Sequence, residues 1–232
     1  MNKPRLVEYE GAAYVLGLPH RVIEPEGEGP HPTIVMLHGR HGNEMVPWVF
    51  ARTLPKNWLL VAPRAIEFDP ETDATDDIGY SWMFMGNEWP HVDAFADGVE
   101  AIHEFVTNLP DVYNADPERI YFLGFSQGAA AAYAYAVQYP DHVQGISGLV
   151  GFTPKLDDEL IAQQPLANKP IFLSIGETDD RVPLHIAQIG RKVLASAGAT
   201  ITAHQYPVGH KLNGQGMRDL ATWWAEIEKH AT

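Results

Sequence analysis

The sequence predicts an α/β fold in which a mainly parallel central sheet is flanked by helices on both faces, with no large cap domain. Three observations predict it. Six short apolar or β-branched runs recur along the chain, each of buried-strand length. Helical patterns lie between most of them. No internal repeat, low-complexity tract or long linker separates them, and 232 residues suit a single domain spanning 1–232.

The elements follow in order. The first thirty residues read as an antiparallel pair added at one edge. Residues 33–37 and 58–62 are the first buried strands. Over 92–109, Val92, Phe95, Val99, Ile102, Phe105 and Val106 recur at spacings of three and four, which makes one apolar helical stripe. The strand 119–123 runs into an alanine-rich helix at 127–139, whose small side chains allow close packing on the sheet and which Pro140 stops. Strands at 145–150 and 170–175 precede a helix at 184–197 that Gly198 ends; a strand at 199–206 and a helix at 214–229 complete the set.

The connection 64–90 has no clear period. Glu67, Asp69, Glu71, Asp73, Asp76 and Asp77 precede the aromatic residues Tyr80, Trp82, Phe84 and Trp89. A connection this long is expected to lie over the C-terminal ends of the strands, with its aromatic half facing inward. The acidic half is expected to be solvated, because it lacks the glycine and terminal glutamate of a calcium-binding loop.

Composition excludes several classes. Sixteen basic against thirty acidic residues leave a formal charge of −14, which repels nucleic acid and anionic lipid. With no cysteine, disulfides, thiolate metal sites and a cysteine nucleophile are excluded. The N-terminal residues do not resemble a signal peptide, and the longest apolar run, 129–137, is too short to span a bilayer. The expectation is a cytoplasmic protein without integral membrane association. A homodimer is compatible with the sequence, which does not specify the oligomeric state. Eleven histidines raise the question of a metal, but His103-Glu104 lacks the second histidine of an HExxH helix and no compact ligand set emerges. Neither a phosphate loop nor a dinucleotide fingerprint is present. No metal and no cofactor are expected.

The strongest chemical signal is Gly124-Phe125-Ser126-Gln127-Gly128, which follows the run IYFL and opens the alanine-rich helix. A serine on a tight strand-to-helix turn projects its oxygen above the sheet, and the flanking glycines remove Cβ atoms that would clash. The helix N-terminus aims N–H groups at negative charge forming nearby. Such a serine needs a base to take its proton and a carboxylate to orient that base. Downstream, Glu177, Asp179 and Asp180 follow the run IFLSI, and His210 follows ITAHQY within Pro207-Val208-Gly209-His210. Both places lie just past strand ends, where open α/β sheets hold ligands.

With these motifs the chain resembles the α/β-hydrolase superfamily, and within it the phospholipase/carboxylesterase group that includes bacterial carboxylesterases and acyl-protein thioesterases. The resemblance covers about residues 30–228 and rests on Leu37-His38-Gly39-Arg40, Gly124–Gly128, Asp179 with Val182-Pro183, and Gly209-His210. It implies a Ser126-His210-Asp179 triad; the acid of the group stands three residues before the valine of the valine-proline pair, which selects Asp179 over Asp180. An oxyanion hole is expected from the backbone N–H of Gln127, the residue after the nucleophile, and, by resemblance, from that of Arg40. His38 is read as shaping that turn rather than as a second base. Trp82, Met83, Phe84 and Met85 are expected either to line the acyl pocket or to serve as core and surface. The turn reads HGRHGN, with His41 where the group tends to have a small residue, and this departure bears on substrate choice.

The function implied is cleavage of small carboxylic esters with short to medium acyl chains, through an acyl-enzyme. A thioesterase, lysophospholipase or acyltransferase on the same triad is the alternative, as is a non-catalytic binding protein on this fold. Because an imidazole must be neutral to act as a base, efficiency is expected to rise through one ionisation near about pH 6–7. Only 64–90 is long enough to fold over the site, so an open, shallow pocket is expected.

Overall fold

A computed structural model describes residues 3–9, 11–69, 79–84, 86 and 89–230. In chain order its strands are β1 (Arg5–Val7), β2 (His20–Ile23), β3 (His31–Leu37), β4 (Leu59–Pro63), β5 (Glu67–Asp69), β6 (Gly79–Ser81), β7 (Ala115–Phe125), β8 (Gly145–Leu149), β9 (Pro170–Gly176) and β10 (Thr200–Tyr206). The α-helices are α1 (Gly11–Leu16), α2 (Ala96–Tyr113), α3 (Gln127–Gln138), α4 (Asp158–Ala162), α5 (Leu184–Ser196) and α6 (Gly214–His230), with 3₁₀ turns at Val46–Thr53, Val92–Phe95 and Pro140–His142.

Eight strands form one sheet in the order β1-β2-β4-β3-β7-β8-β9-β10. β1 pairs with β2 and β2 with β4 antiparallel, whereas every pairing from β4 to β10 is parallel. The expected antiparallel edge is therefore present, with α1 inserted between its strands.

Side-chain alternation explains why both faces are covered. On β3, Val35 and Leu37 join one hydrophobic cluster while Ile34 and Met36 join the other. β4 divides in the same way, with Leu59 and Val61 opposite Leu60 and Ala62, and so does β7, with Ile120 and Phe122 opposite Tyr121 and Leu123. Strands apolar on both sides must be covered on both sides. The first cluster takes in the stripe of α2, the alanines of α3 and Leu194 of α5, and the second takes in Phe50, Leu220, Trp223 and Trp224.

Several boundaries differ from the sequence pattern. The helix expected at 92–109 opens as a 3₁₀ turn and runs through Pro110 to Tyr113, ending on Asn114, which adopts a left-handed φ of 52° and donates its N–H to the Pro110 carbonyl. The strand at 119–123 extends to eleven residues because its flanks pair with β3 and β8. The connection 64–90 contains an antiparallel ribbon, β5 with β6, that no periodicity announced. Of its acidic half, Glu71, Asp73, Asp76 and Asp77 lie outside the described residues. No helix among the described residues is long and apolar enough to cross a membrane.

Parallel pairing brings one set of strand ends together. Leu37 stands beside Gly124 and Gly124 beside Gly148, while Tyr206 stands beside Gly176. The segments that follow these residues carry Arg40, Ser126, Asp179 and His210 and leave the sheet at the same edge.

Candidate active site

Ser126 sits between β7 and α3 with φ 55° and ψ −119°, a conformation that costs a non-glycine residue about 1–3 kcal/mol. The surroundings enforce it. The Ser126 N–H donates to the Leu149 carbonyl at 2.9 Å, and its carbonyl accepts from the Ala129 N–H at 3.0 Å. A Cβ on Gly124 would lie 2.5 Å from the Ala129 nitrogen, and one on Gly128 would lie 2.5 Å from the His38 carbonyl oxygen. The two glycines let the helix start seat directly against β7 and the segment after β3, which leaves Ser126 at the crest of the turn.

His210 follows β10, and its Nδ1 lies 2.8 Å from Asp179 Oδ2. Asp179 is itself held, since its Oδ1 accepts the N–H groups of Arg181 and Val182, both at 2.9 Å. The Asp179 side chain is 1% exposed and aims one oxygen at the imidazole, while Asp180, next in the chain, is exposed. An ionised carboxylate accepts but does not donate, so Nδ1 of His210 carries the proton and Nε2 is left with its lone pair. That Nε2 is buried and makes no hydrogen bond among the described residues. Ser126 and His210 line the same cleft.

The turn after β3 is organised by His38, which is fully buried. Its Nε2 accepts the Ala65 N–H at 3.0 Å and its Nδ1 donates to the Gly39 carbonyl at 2.7 Å. With both ring nitrogens committed to backbone, His38 holds the segment leading to Arg40 and has no free nitrogen for proton transfer. Burial lowers its pKa to about 4; the Gly39 hydrogen bond and Glu44 oppose the shift and Arg64 adds to it. Between pH 6.5 and about 4 the unfolded chain binds a proton at this position and the folded chain does not. Stability is therefore complete above that window and falls as pH falls through it, by about 2 kcal/mol from pH 7 to pH 5. Urea unfolding at the two pH values, for the protein and for His38→Asn, checks this, and the variant should lose that part of the dependence.

Trp82 bridges the two halves of the expected oxyanion hole. Its indole N–H donates to the His38 carbonyl at 2.9 Å, and its backbone N–H donates to Gln127 Oε1 at 2.9 Å. The Gln127 side chain donates in turn to the Met83 carbonyl at 2.9 Å. A second tie joins the connection to the turn, because the Tyr80 N–H donates to the Gly42 carbonyl at 2.8 Å. Beneath the turn, the buried Glu44 takes a 2.7 Å hydrogen bond from Arg64 Nε, and Arg64 also reaches Glu8. Burial is the largest single influence on the Glu44 pKa and raises it, but the Arg64 hydrogen bond, a backbone hydrogen bond and the charges of Arg64 and Arg21 together outweigh it, and the net shift is downward.

Of the two readings of the aromatic run, these contacts place its described residues in the core and at the surface. Trp82 and Met83 are 1% and 6% exposed, because their polar groups are taken up by His38 and Gln127 and their side chains join the core. Phe84 is 58% exposed and does not line the cleft, and Met85 lies outside the described residues. The apolar wall is instead Trp89 and Phe152, whose rings meet edge to face with centroids 4.6 Å apart, together with Phe125 and Val182. The cleft has a volume of about 360 Å³. Arg40 and Gln127 line it, as do His41, which has a left-handed φ of 58°, and Arg181. Sequence reasoning missed Phe152 and Arg181. Each stands just past the end of a parallel strand or beside the acid, and that position was the available signal. Among the described residues, no group of three or more His, Asp and Glu side chains gathers as a metal site would require.

A strained serine at a strand-to-helix turn, an Asp-His pair on the neighbouring strand ends and a mainly parallel sheet under them define an α/β-hydrolase. The phospholipase/carboxylesterase family model matches residues 18–227, and the chain belongs to that family. It is 29% identical over 204 residues to carboxylesterase SOBER1 of Arabidopsis thaliana, an alignment that covers 82% of this chain and 88% of the relative. With acyl-protein thioesterase 1 of Yarrowia lipolytica it shares 25% identity, across 90% of this chain and 97% of the other. In fold it is similar to the carboxylesterase from Mesorhizobium loti, with a TM-score of 0.77 and 18% identity over 97% of this chain and 99% of that one.

Proposed function

We propose that the protein hydrolyses carboxylic esters with short to medium acyl chains through an acyl-enzyme formed on Ser126. The observation that carries this reading is the shared cleft. In it a serine held at positive φ stands with a histidine whose Nδ1 is fixed by Asp179 and whose Nε2 has no partner among the described residues. Ser126 Oγ attacks the carbonyl while His210 Nε2 accepts its proton, and His210 then gives that proton to the leaving alcohol. Water repeats the sequence to release the acid. Asp179 keeps the proton on Nδ1 and balances the imidazolium. The backbone N–H groups of Gln127 and Arg40 face the developing oxyanion, where each donor lowers the barrier by about 3 kcal/mol. The cleft is near the small end of ligand sites, which supports a short acyl chain. On this reading the enzyme is cytoplasmic.

The test combines a fluorescent phosphonate probe with hydrolysis of p-nitrophenyl esters of graded length beside an acyl-thioester. Labelling of Ser126, with efficiency highest for short or medium oxyesters, is expected. A folded protein that neither takes the label nor cleaves any ester would show that the fold serves another purpose, and a dominant thioester rate would move the substrate class.

A further inference from the structure

Beside the cleft lies a second depression, and the two share a wall. This groove has a volume of about 260 Å³ and is lined by Val46, Val49, Phe50, Phe125, Leu212 and Met217, with Lys211 the one charged residue among its described lining. Phe125 lines the cleft as well. Its ring lies 5.3 Å from that of His210 and 5.9 Å from that of Phe50. A Cβ on Gly39 would lie 3.2 Å from Phe125 Cδ1, so the same ring also adjoins the turn that leads to Arg40. Lys211 and Leu212 directly follow His210 in the chain. Trp89 and Phe152, in contrast, line the cleft and not the groove.

The 3₁₀ turn Val46–Thr53 explains why the groove is apolar yet open. It buries Pro47, Phe50 and Ala51 and leaves Val46 and Val49 38% and 62% exposed. Side chains three apart eclipse one another in a 3₁₀ turn, so the two valines stand on one face. Apolar side chains gathered in this way, rather than scattered singly, mark a surface that something covers.

Resting on the esterase reading above, we infer that the groove holds the alcohol part of the ester, and that this alcohol is a medium-length alkyl or arylalkyl group. His210 Nε2 gives its proton to the leaving oxygen, so that oxygen lies within hydrogen-bond reach of the imidazole while the acyl carbon stays on Ser126. Whatever the leaving oxygen carries extends from His210, and Phe125, in ring contact with His210, joins that point to the groove. An ethyl group ends before it spans the 5.3 Å between the His210 and Phe125 rings, whereas a hexyl chain passes them. Such a chain removes Val46 and Val49 from water, which favours its binding. The acyl group is left to the wall formed by Trp89 and Phe152.

Hexyl acetate against ethyl acetate, followed by acetate release, tests the inference. Both esters release primary alcohols of similar basicity and pass through the same acetyl-enzyme, so kcat/KM reports the one step in which they differ. A preference of about tenfold or more for hexyl acetate is expected, because a fully buried methylene is worth about fourfold and an open groove buries the added chain only in part. Val46→Asn/Val49→Asn, at two exposed positions that tolerate substitution, should lower the ratio to about threefold or less, and Val49→Asn alone should lower it part of the way. Ile189→Asn, at an exposed apolar position on α5, should leave it unchanged. Ethyl hexanoate, an isomer of hexyl acetate with the long chain on the acyl side, fixes the side: its rate relative to ethyl acetate should respond less to the valine substitutions. A hexyl-to-ethyl ratio near one, a ratio that survives the double variant, or a larger effect on ethyl hexanoate overturns the inference. So does a dimer in sedimentation equilibrium that the double variant dissociates, which would assign the groove to a second copy of the chain. Phosphonate labelling of Ser126 separates the two readings. Labelled protein indifferent to the alcohol refutes the alcohol groove alone, and unlabelled protein that cleaves no ester refutes both.

Discussion

Ser126→Ala is expected to lower ester turnover by about ten-thousandfold to a millionfold, leaving the residual rate that binding and oxyanion donors support without a nucleophile. Its fold should be unaffected, because alanine suffers the same backbone penalty as serine at φ 55° and ψ −119°. Ser126→Gly supplies the second half of the result. Glycine adopts that conformation freely, so this variant should be equally inactive yet no less stable than Ser126→Ala, and more stable by about 1 kcal/mol where relief of strain outweighs the entropy of the unfolded chain. Single-turnover kinetics and denaturant unfolding of the two variants measure both halves. Near-native hydrolysis by either would refute the acyl-enzyme.

Asp179→Asn is expected to cost about ten-thousandfold in kcat without loosening the loop. Asp179 Oδ1 accepts from the Arg181 and Val182 N–H groups, and an asparagine keeps those bonds only by placing its carbonyl oxygen there. Its NH₂ group then faces His210 Nδ1, where the native carboxylate oxygen lies at 2.8 Å. A donor in that place forces the proton onto Nε2, the nitrogen proposed to accept the serine proton, and the imidazole is held in the wrong tautomer for that role. Asp180→Asn, one residue along on an exposed side chain, is the control and should change kcat by less than about twofold, in keeping with surface substitutions. Parallel measurement of kcat and unfolding free energy separates loss of tautomer control from loss of structure. Equal effects at the two positions would reassign the acid.

Much of this was legible before any coordinates. Val35 and Ile34 read alike in sequence as part of one apolar run, and that continuity was the clue that each side of β3 would meet a helix. The turn at Ser126 was legible because Gly124 and Gly128 flank a residue placed between a strand and a helix, a local requirement with a local signature. Asp179 and His210 were legible as positions past strand ends. Their pairing came only through the resemblance, since a distance of 2.8 Å between residues thirty-one apart depends on two parallel strands lying side by side.

The aromatic run was the least legible part. Trp82 looks like a binding residue in sequence, because an indole suits a pocket wall as well as a core. Its indole and backbone N–H groups found partners on His38 and Gln127, residues remote in the chain, and this made it a brace for the turn. Phe152 read as an ordinary residue after a strand and became a cleft wall through its contact with Trp89.

By itself the sequence determined the layers, the strand-to-helix serine and the kinds of residue available at the strand ends, because period, chain order and steric need are written along the chain. Only the tertiary structure decided which oxygen faces His210 and which aromatic rings border the cleft. Those outcomes depend on distances between segments that no local pattern encodes.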